Sequence, residues 1–157
     1  MKTIKVEITA GGGSKNCVEA LIAQLKGTKG VNVTINCDAR PVTERIKTLA
    51  DALTATGEVM PDFSEIPENK RKQIRALFAL EVITAALNEG WQPDWSDSNE
   101  MKWRPWFKVS SGFVFDDTRY SYSCANAGNG ARLCFKTSAL AEYAARQFTE
   151  LYREFMM

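Results

Sequence analysis

The sequence predicts an α+β protein, an N-terminal βαβ-like unit followed by helices packed on a small antiparallel sheet. Three observations carry this. Lys2 to Thr9 and Val31 to Asn36 alternate apolar with polar residues, whereas the segment between them repeats at helical spacing. Val42 to Leu53, Pro67 to Asn88 and Ser138 to Phe155 each carry a helical apolar stripe. Between the last two, Trp103 to Phe135 is rich in aromatic strand formers broken by turn residues.

Taken in order, Ile4, Val6 and Ile8 face one way and Lys5 and Glu7 the other, giving a first strand with one buried face. Ser14 then caps a helix bearing Cys17, Val18, Leu21, Ile22 and Leu25, which Gly27 and Gly30 end. Val31, Val33 and Ile35 form a second strand, parallel to the first through a right-handed connection. Pro41 opens a helix with Val42, Ile46, Leu49 and Leu53 on one stripe, ending at Gly57. The segment Gly57 to Pro67 holds two prolines and marks where the chain would divide, into 1–57 and 62–157, were 1–157 not a single domain.

Pro67 starts the longest helix, running to Asn88 before Gly90, and its apolar residues widen toward the end as in a helix covered on several sides. Trp91, Trp95, Trp103 and Trp106 follow within sixteen residues, first in an ordered loop and then in a strand over Trp103 to Ser110. Ser111-Gly112 and Asp116-Asp117 read as turns. Arg119 to Cys124 and Arg132 to Phe135 read as a hairpin joined through Asn126 to Gly130. Thr137 or Ser138 caps one last helix.

Length and composition bound the function. A chain of 157 residues with 45% hydrophobic and 25% charged residues matches one globular core rather than a coiled coil or a disordered tail. Twenty basic against nineteen acidic residues leave a charge of +1, so electrostatic recognition must be local. The N-terminal Met1 to Glu7 is charged where a signal peptide needs an apolar core, and no stretch reaches the ~18 apolar residues of a spanning helix. A cytoplasmic protein without a membrane partner is expected.

With no histidine, the usual triads, mixed Cys/His zinc sites and imidazole acid–base chemistry are excluded. Cys17, Cys37, Cys124 and Cys134 lack C-x-x-C spacing and read as buried thiols. The acids Asp94, Asp97, Glu100, Asp116 and Asp117 could in composition serve a hydrolase with a hard cation, but they have no EF-hand spacing and read as turn formers. Gly12, Gly13, Ser14 and Lys15 could cradle an anion at a helix start, although neither Walker A nor G-x-G-x-x-G spacing is present. No catalytic residue, metal or cofactor is expected.

Binding chemistry concentrates after Gly90. In the expected hairpin Tyr120, Tyr122, Arg132 and Lys136 share a face, with Cys124 facing Cys134 and Ala125, Leu133 and Phe135 turned to the core. The preceding strand repeats the theme, with Arg104, Trp106 and Lys108 on one face and Trp103, Phe107 and Val109 on the other. Aromatic and basic side chains interleaved on a sheet suit protein docking or single-stranded nucleic acid. The loop with Trp91 and Trp95 is a second docking candidate, or a loop packed on its own indoles. Lys70, Arg71, Lys72 and Arg75 form a basic cluster at a helix start.

The wording of three stretches, Ala85 to Asp97, Trp103 to Phe107 and Ala131 to Ala144, resembles a group of uncharacterised small proteins of gut Bacteroidales and their phages and mobile elements. The resemblance covers about residues 49–157. It implies an accessory protein, intracellular or virion-associated, and carries over no site residue. The expectation is therefore a non-enzymatic binding or assembly module whose partner is a protein or a second copy, with nucleic acid as the alternative.

Overall fold

Why the chain folds is set by one long helix that meets a neighbour on nearly every side. The computed structural model describes residues 38, 40–110, 112–122 and 131–157. The two expected N-terminal strands and their helix, the Gly12 to Lys15 loop, Cys17, Cys37, Cys124 and the Asn126 to Gly130 connection lie outside the described residues. The elements are α1 (Val42–Arg45), α2 (Leu49–Thr56), α3 (Glu68–Asn88), β1 (Lys102–Lys108), β2 (Val114–Ser121), a 3-10 turn (Ala131–Leu133), α4 (Ser138–Gln147) and α5 (Thr149–Met156). Helices with a small antiparallel sheet make this an α+β fold.

Helix α3 begins after Pro67, as expected, and buries Ala76, Ala79, Leu80, Val82, Ile83, Ala86 and Leu87 against α2, α4 and α5. Small residues on several faces let those helices approach from different directions. The core runs continuously from Ile46 through Leu80, Ile83 and Leu87 to Phe135, Phe148 and Tyr152. Burying Phe135 completely is worth about 1.5–3 kcal/mol of apolar transfer.

Two helices expected to be continuous are each broken. Between α1 and α2 the Thr48 hydroxyl accepts from the Asp51 N–H at 3.2 Å while the Asp51 carboxylate accepts from the Thr48 N–H at 2.8 Å, a reciprocal cap that starts a new helix. The Tyr143 hydroxyl and the Gln147 amide donate to the Ile46 and Lys47 carbonyls at 2.7 and 2.8 Å, satisfying the groups the break releases. At Phe148, with φ −119° and ψ 29°, the C-terminal helix also divides. The Thr149 hydroxyl donates to the Ala145 and Arg146 carbonyls at 2.6 and 3.2 Å, competing with the helical ladder.

The sheet is paired differently from the expectation. Arg119 and its neighbours pair with β1, not with Arg132 to Phe135: Trp103 lies opposite Tyr120, Arg104 opposite Arg119 and Trp106 opposite Asp117. Arg132 and Leu133 lie in the 3-10 turn, and only Phe135 joins the sheet, exchanging hydrogen bonds of 3.0 and 2.8 Å with Trp103 on the far side of β1. Asp116 and Asp117 are not a turn. They sit inside β2 at a bulge where the register slips between Trp106 and Phe107. The reversal falls at Gly112, whose φ of 100° suits glycine, between β1 and β2.

Asn88 ties this arrangement to α3. Its side chain is buried, its Nδ2 donates to the Cys134 carbonyl at 2.9 Å and its Oδ1 accepts from the Lys136 N–H at 3.1 Å. The segment carrying Phe135 is thereby held against β1.

Candidate functional site

The β1–β2 hairpin has a covered and an open face. Phe107, Phe115 and Thr118 turn toward α4 and α5: Phe107 meets the Tyr152 ring at 5.0 Å, the Arg146 guanidinium lies 4.7 Å from the Phe115 ring, and the Thr118 and Ser138 hydroxyls meet at 3.1 Å. The alternation of strand side chains then puts Arg104, Trp106 and Lys108 on the opposite face with Arg119, Asp117 and Val114.

On that open face Trp106 is 49% exposed, with the Arg119 guanidinium 4.4 Å from its ring. Such a cation–π contact is worth about 0.5–1 kcal/mol at an exposed site. Lys108 Nζ meets Asp116 Oδ1 at 2.7 Å, which raises the lysine pKa above its ordinary value by hydrogen bond and charge. Arg104 donates to the Ser121 hydroxyl at 3.2 Å. Val114, more than half exposed, lies opposite Lys108 on the same face at the turn end. On the opposite face, at the end away from the turn, Trp103, Tyr120 and Tyr122 form a ring row, with centroids 4.8 and 5.0 Å apart.

The candidate residues therefore separate. Arg104, Trp106 and Lys108 share one face as expected, whereas Tyr120 and Tyr122 lie with Trp103 on the other face, half exposed beyond the helices. The expected shared face of Tyr120, Tyr122, Arg132 and Lys136 does not form, because the strands pair otherwise: Arg132 lies toward Glu81 at 3.9 Å and Lys136 bonds Glu89 at 3.1 Å. Glu89 also takes the Arg45 guanidinium. Sequence reasoning missed Arg119, whose place beside Trp106 depends on a cross-strand register that the misread turn at Asp116-Asp117 concealed.

Trp91 and Trp95 belong to the loop's own packing. Glu100 accepts from the Trp91 indole at 3.0 Å and from the Asp94 N–H at 2.7 Å, and meets Lys102 Nζ at 3.1 Å. Lys102 is completely buried, with Nζ also donating to the Asp97 and Glu100 carbonyls, each at 3.2 Å, and lying 5.3 Å from the Trp95 ring. The acids close local turns, Asp94 on Ser96 and Asp97 on Asn99. Hydrogen bonds from the Ser96 hydroxyl and N–H hold the Asp94 carboxyl below its usual range.

A concavity of about 990 Å³ lies between Met60 to Ser64, the first half of α3 and Leu151 and Glu154. Two of its three basic residues are engaged: Arg71 donates to the Phe63, Ser64 and Ile66 carbonyls, and Lys72 meets Glu154 at 3.4 Å. Asp62, Glu68 and Glu154 in the same lining oppose an anion. Among the described residues no group of three or more Cys, Asp and Glu could hold a metal ion, and no helix is long and apolar enough to cross a membrane. Burial raises the Cys134 thiol pKa, which suits packing rather than reactivity.

Compared with family models, curated proteins and solved structures, the chain matches none.

Proposed function

We propose that the chain is a non-enzymatic binding module whose contact surface is the open face of the hairpin and whose partner is a protein. The observation that carries this is Trp106, half exposed at the centre of that face and stacked by Arg119. Tryptophan and arginine are the residue types that most often dominate protein interfaces, and the exposed Val114 on the same face adds apolar area. Asp116 and Asp117 on the same strand as Arg119 offset its basic character, which favours a mixed-charge protein surface over phosphate backbone. The resemblance over residues 49–157 supports placing this module among accessory proteins of phages or mobile elements, acting inside the cell.

The test is site-specific photo-crosslinking in the native host, with a photoreactive residue placed at Lys108 or, as control, at Arg132 on the far side of β1. Adducts to a discrete protein from Lys108 alone, reduced by Trp106→Ala, support the reading. Equal labelling from both positions, or labelling that survives Trp106→Ala, overturns it. Binding of single-stranded DNA or RNA at low salt with the same dependence on Trp106 would replace protein by nucleic acid.

A further inference from the structure

The hairpin has an edge as well as a face, and the edge carries information of its own. Trp103 exchanges both backbone hydrogen bonds with Phe135, so its N–H and C=O point away from β2. Alternation then turns those of Arg104 and Trp106 toward β2, where their partners are Arg119 and Asp117. The N–H and C=O groups of Thr118 and Tyr120, which lie between and beyond those partners, point outward. A side-chain contact agrees with this: the Thr118 N–H donates to the Asp117 carboxylate at 2.7 Å rather than to the ladder. Among the described residues no strand pairs with this edge of β2. The far edge of β1 is closed to extension beyond Phe135 because the next outward residue is Pro105, which has no N–H.

We propose that the open edge of β2 pairs antiparallel with β2 of a second copy, centred on Thr118, to give a four-stranded sheet across a two-fold axis. Charge selects the occupant and the register. Centred on Thr118, the pairing sets Asp117 of each copy opposite Arg119 of the other, on the same face of the sheet, twice by symmetry. Centred one residue later, it would set Arg119 against Arg119. A one-residue slip is therefore penalised by like charge as well as by the exchange of faces. In place of its contact with Asp117, the Thr118 N–H bonds the Thr118 carbonyl across the axis.

The edge shares Arg119 with the docking face but can fail independently of it, since it uses backbone groups of β2 and the Asp117–Arg119 pair and not the Trp106 ring. Sedimentation velocity on the full chain, over a concentration series up to a few hundred micromolar, is expected to resolve a reversible monomer–dimer equilibrium. Asp117→Arg alone and Arg119→Asp alone should each weaken it about tenfold, because two symmetric pairs change from attraction to repulsion. The double variant, Asp117→Arg with Arg119→Asp, should restore it to within about threefold. Trp106→Ala, which frees Arg119 from its stacking contact, should strengthen it and never weaken it, which separates failure of this inference from failure of the docking face. A monomer throughout the series overturns the proposal, as expected if Lys2 to Thr9 of the same chain occupied the edge. A dimer insensitive to both single charge changes overturns it too. Circular dichroism of every variant guards against unfolding as the cause.

Discussion

Replacing Glu100 by alanine tests whether the tryptophan-rich loop is a structural device. Lys102 is completely buried, and among the described residues Glu100 supplies the one carboxylate paired with it, at 3.1 Å, beside two carbonyls and the Trp95 ring. Removing one member of a buried pair costs about 3–5 kcal/mol, because a charge is left without compensation. Glu100 is itself 23% exposed, so water can approach the vacated position and the lower end applies. The Trp91 indole and the Asp94 N–H also lose their acceptor, at about 1 kcal/mol each, although both lie near enough to solvent to recover part of it. The sum predicts a loss of about 4 kcal/mol, a large share of the 5–15 kcal/mol typical of a domain.

Urea unfolding followed by tryptophan fluorescence and circular dichroism measures this. Lys102→Met in the Glu100→Ala background removes the stranded charge and should recover at least about 1 kcal/mol. A Glu100→Ala loss below about 0.5 kcal/mol, within the range of ordinary surface substitutions, would refute the reasoning. So would a double variant no more stable than the single one.

Three further outcomes follow from the same geometry. Asn88→Ala leaves the Cys134 carbonyl and Lys136 N–H without their buried partner, and should cost about 2–4 kcal/mol by denaturant unfolding. Among the described residues the Tyr152 hydroxyl is buried without a hydrogen-bond partner, so Tyr152→Phe should be neutral or stabilising, by up to about 1 kcal/mol; a loss beyond that would reveal a bond to this group. The Asp51, Asp62 and Asp94 carboxyls are held below 3.8, chiefly by hydrogen bonds from Thr48, Ser64 and Ser96 respectively. Because folding lowers these values, their contribution is present above about pH 4 and is lost as pH falls through the folded values. Stability should therefore fall on acidification below about pH 4, and Thr48→Ala should flatten that slope; an unchanged slope would show that Asp51 is not linked to folding.

The parts of this fold that depend on local chemistry are visible in the sequence. Pro67 and the run to Asn88 define α3, and the alternation of Arg104, Trp106 and Lys108 against Trp103 and Phe107 is the face division that forms. What escapes is pairing over distance. Tyr120 is equally able to face Trp103 or a residue near Lys136 on pattern alone, and the choice is made by Asn88, which fixes Cys134 and Lys136 from another element. The helix breaks at Thr48 and Phe148 were missed for a different reason. A hydrophobic stripe continues through each, and only the reciprocal Thr48–Asp51 cap and the Thr149 hydroxyl reveal that the backbone does not.

The docking face and the edge of β2 compete for one side chain. Arg119 stacks over Trp106 by reaching toward β1, whereas pairing with Asp117 of a second copy requires it to reach the other way. The exchange is close to even, a cation–π contact of about 0.5–1 kcal/mol against a cross-strand charge pair of about 0.2–1 kcal/mol. Backbone hydrogen bonds across the axis must then supply the net gain, and each contributes only about 0.5–1.5 kcal/mol after water is counted. The dimer is consequently weak, and its formation uncovers the Trp106 ring on both copies of one continuous sheet. A partner that binds Trp106 without Arg119 would strengthen the dimer, and one that needs the stacked pair would dissociate it.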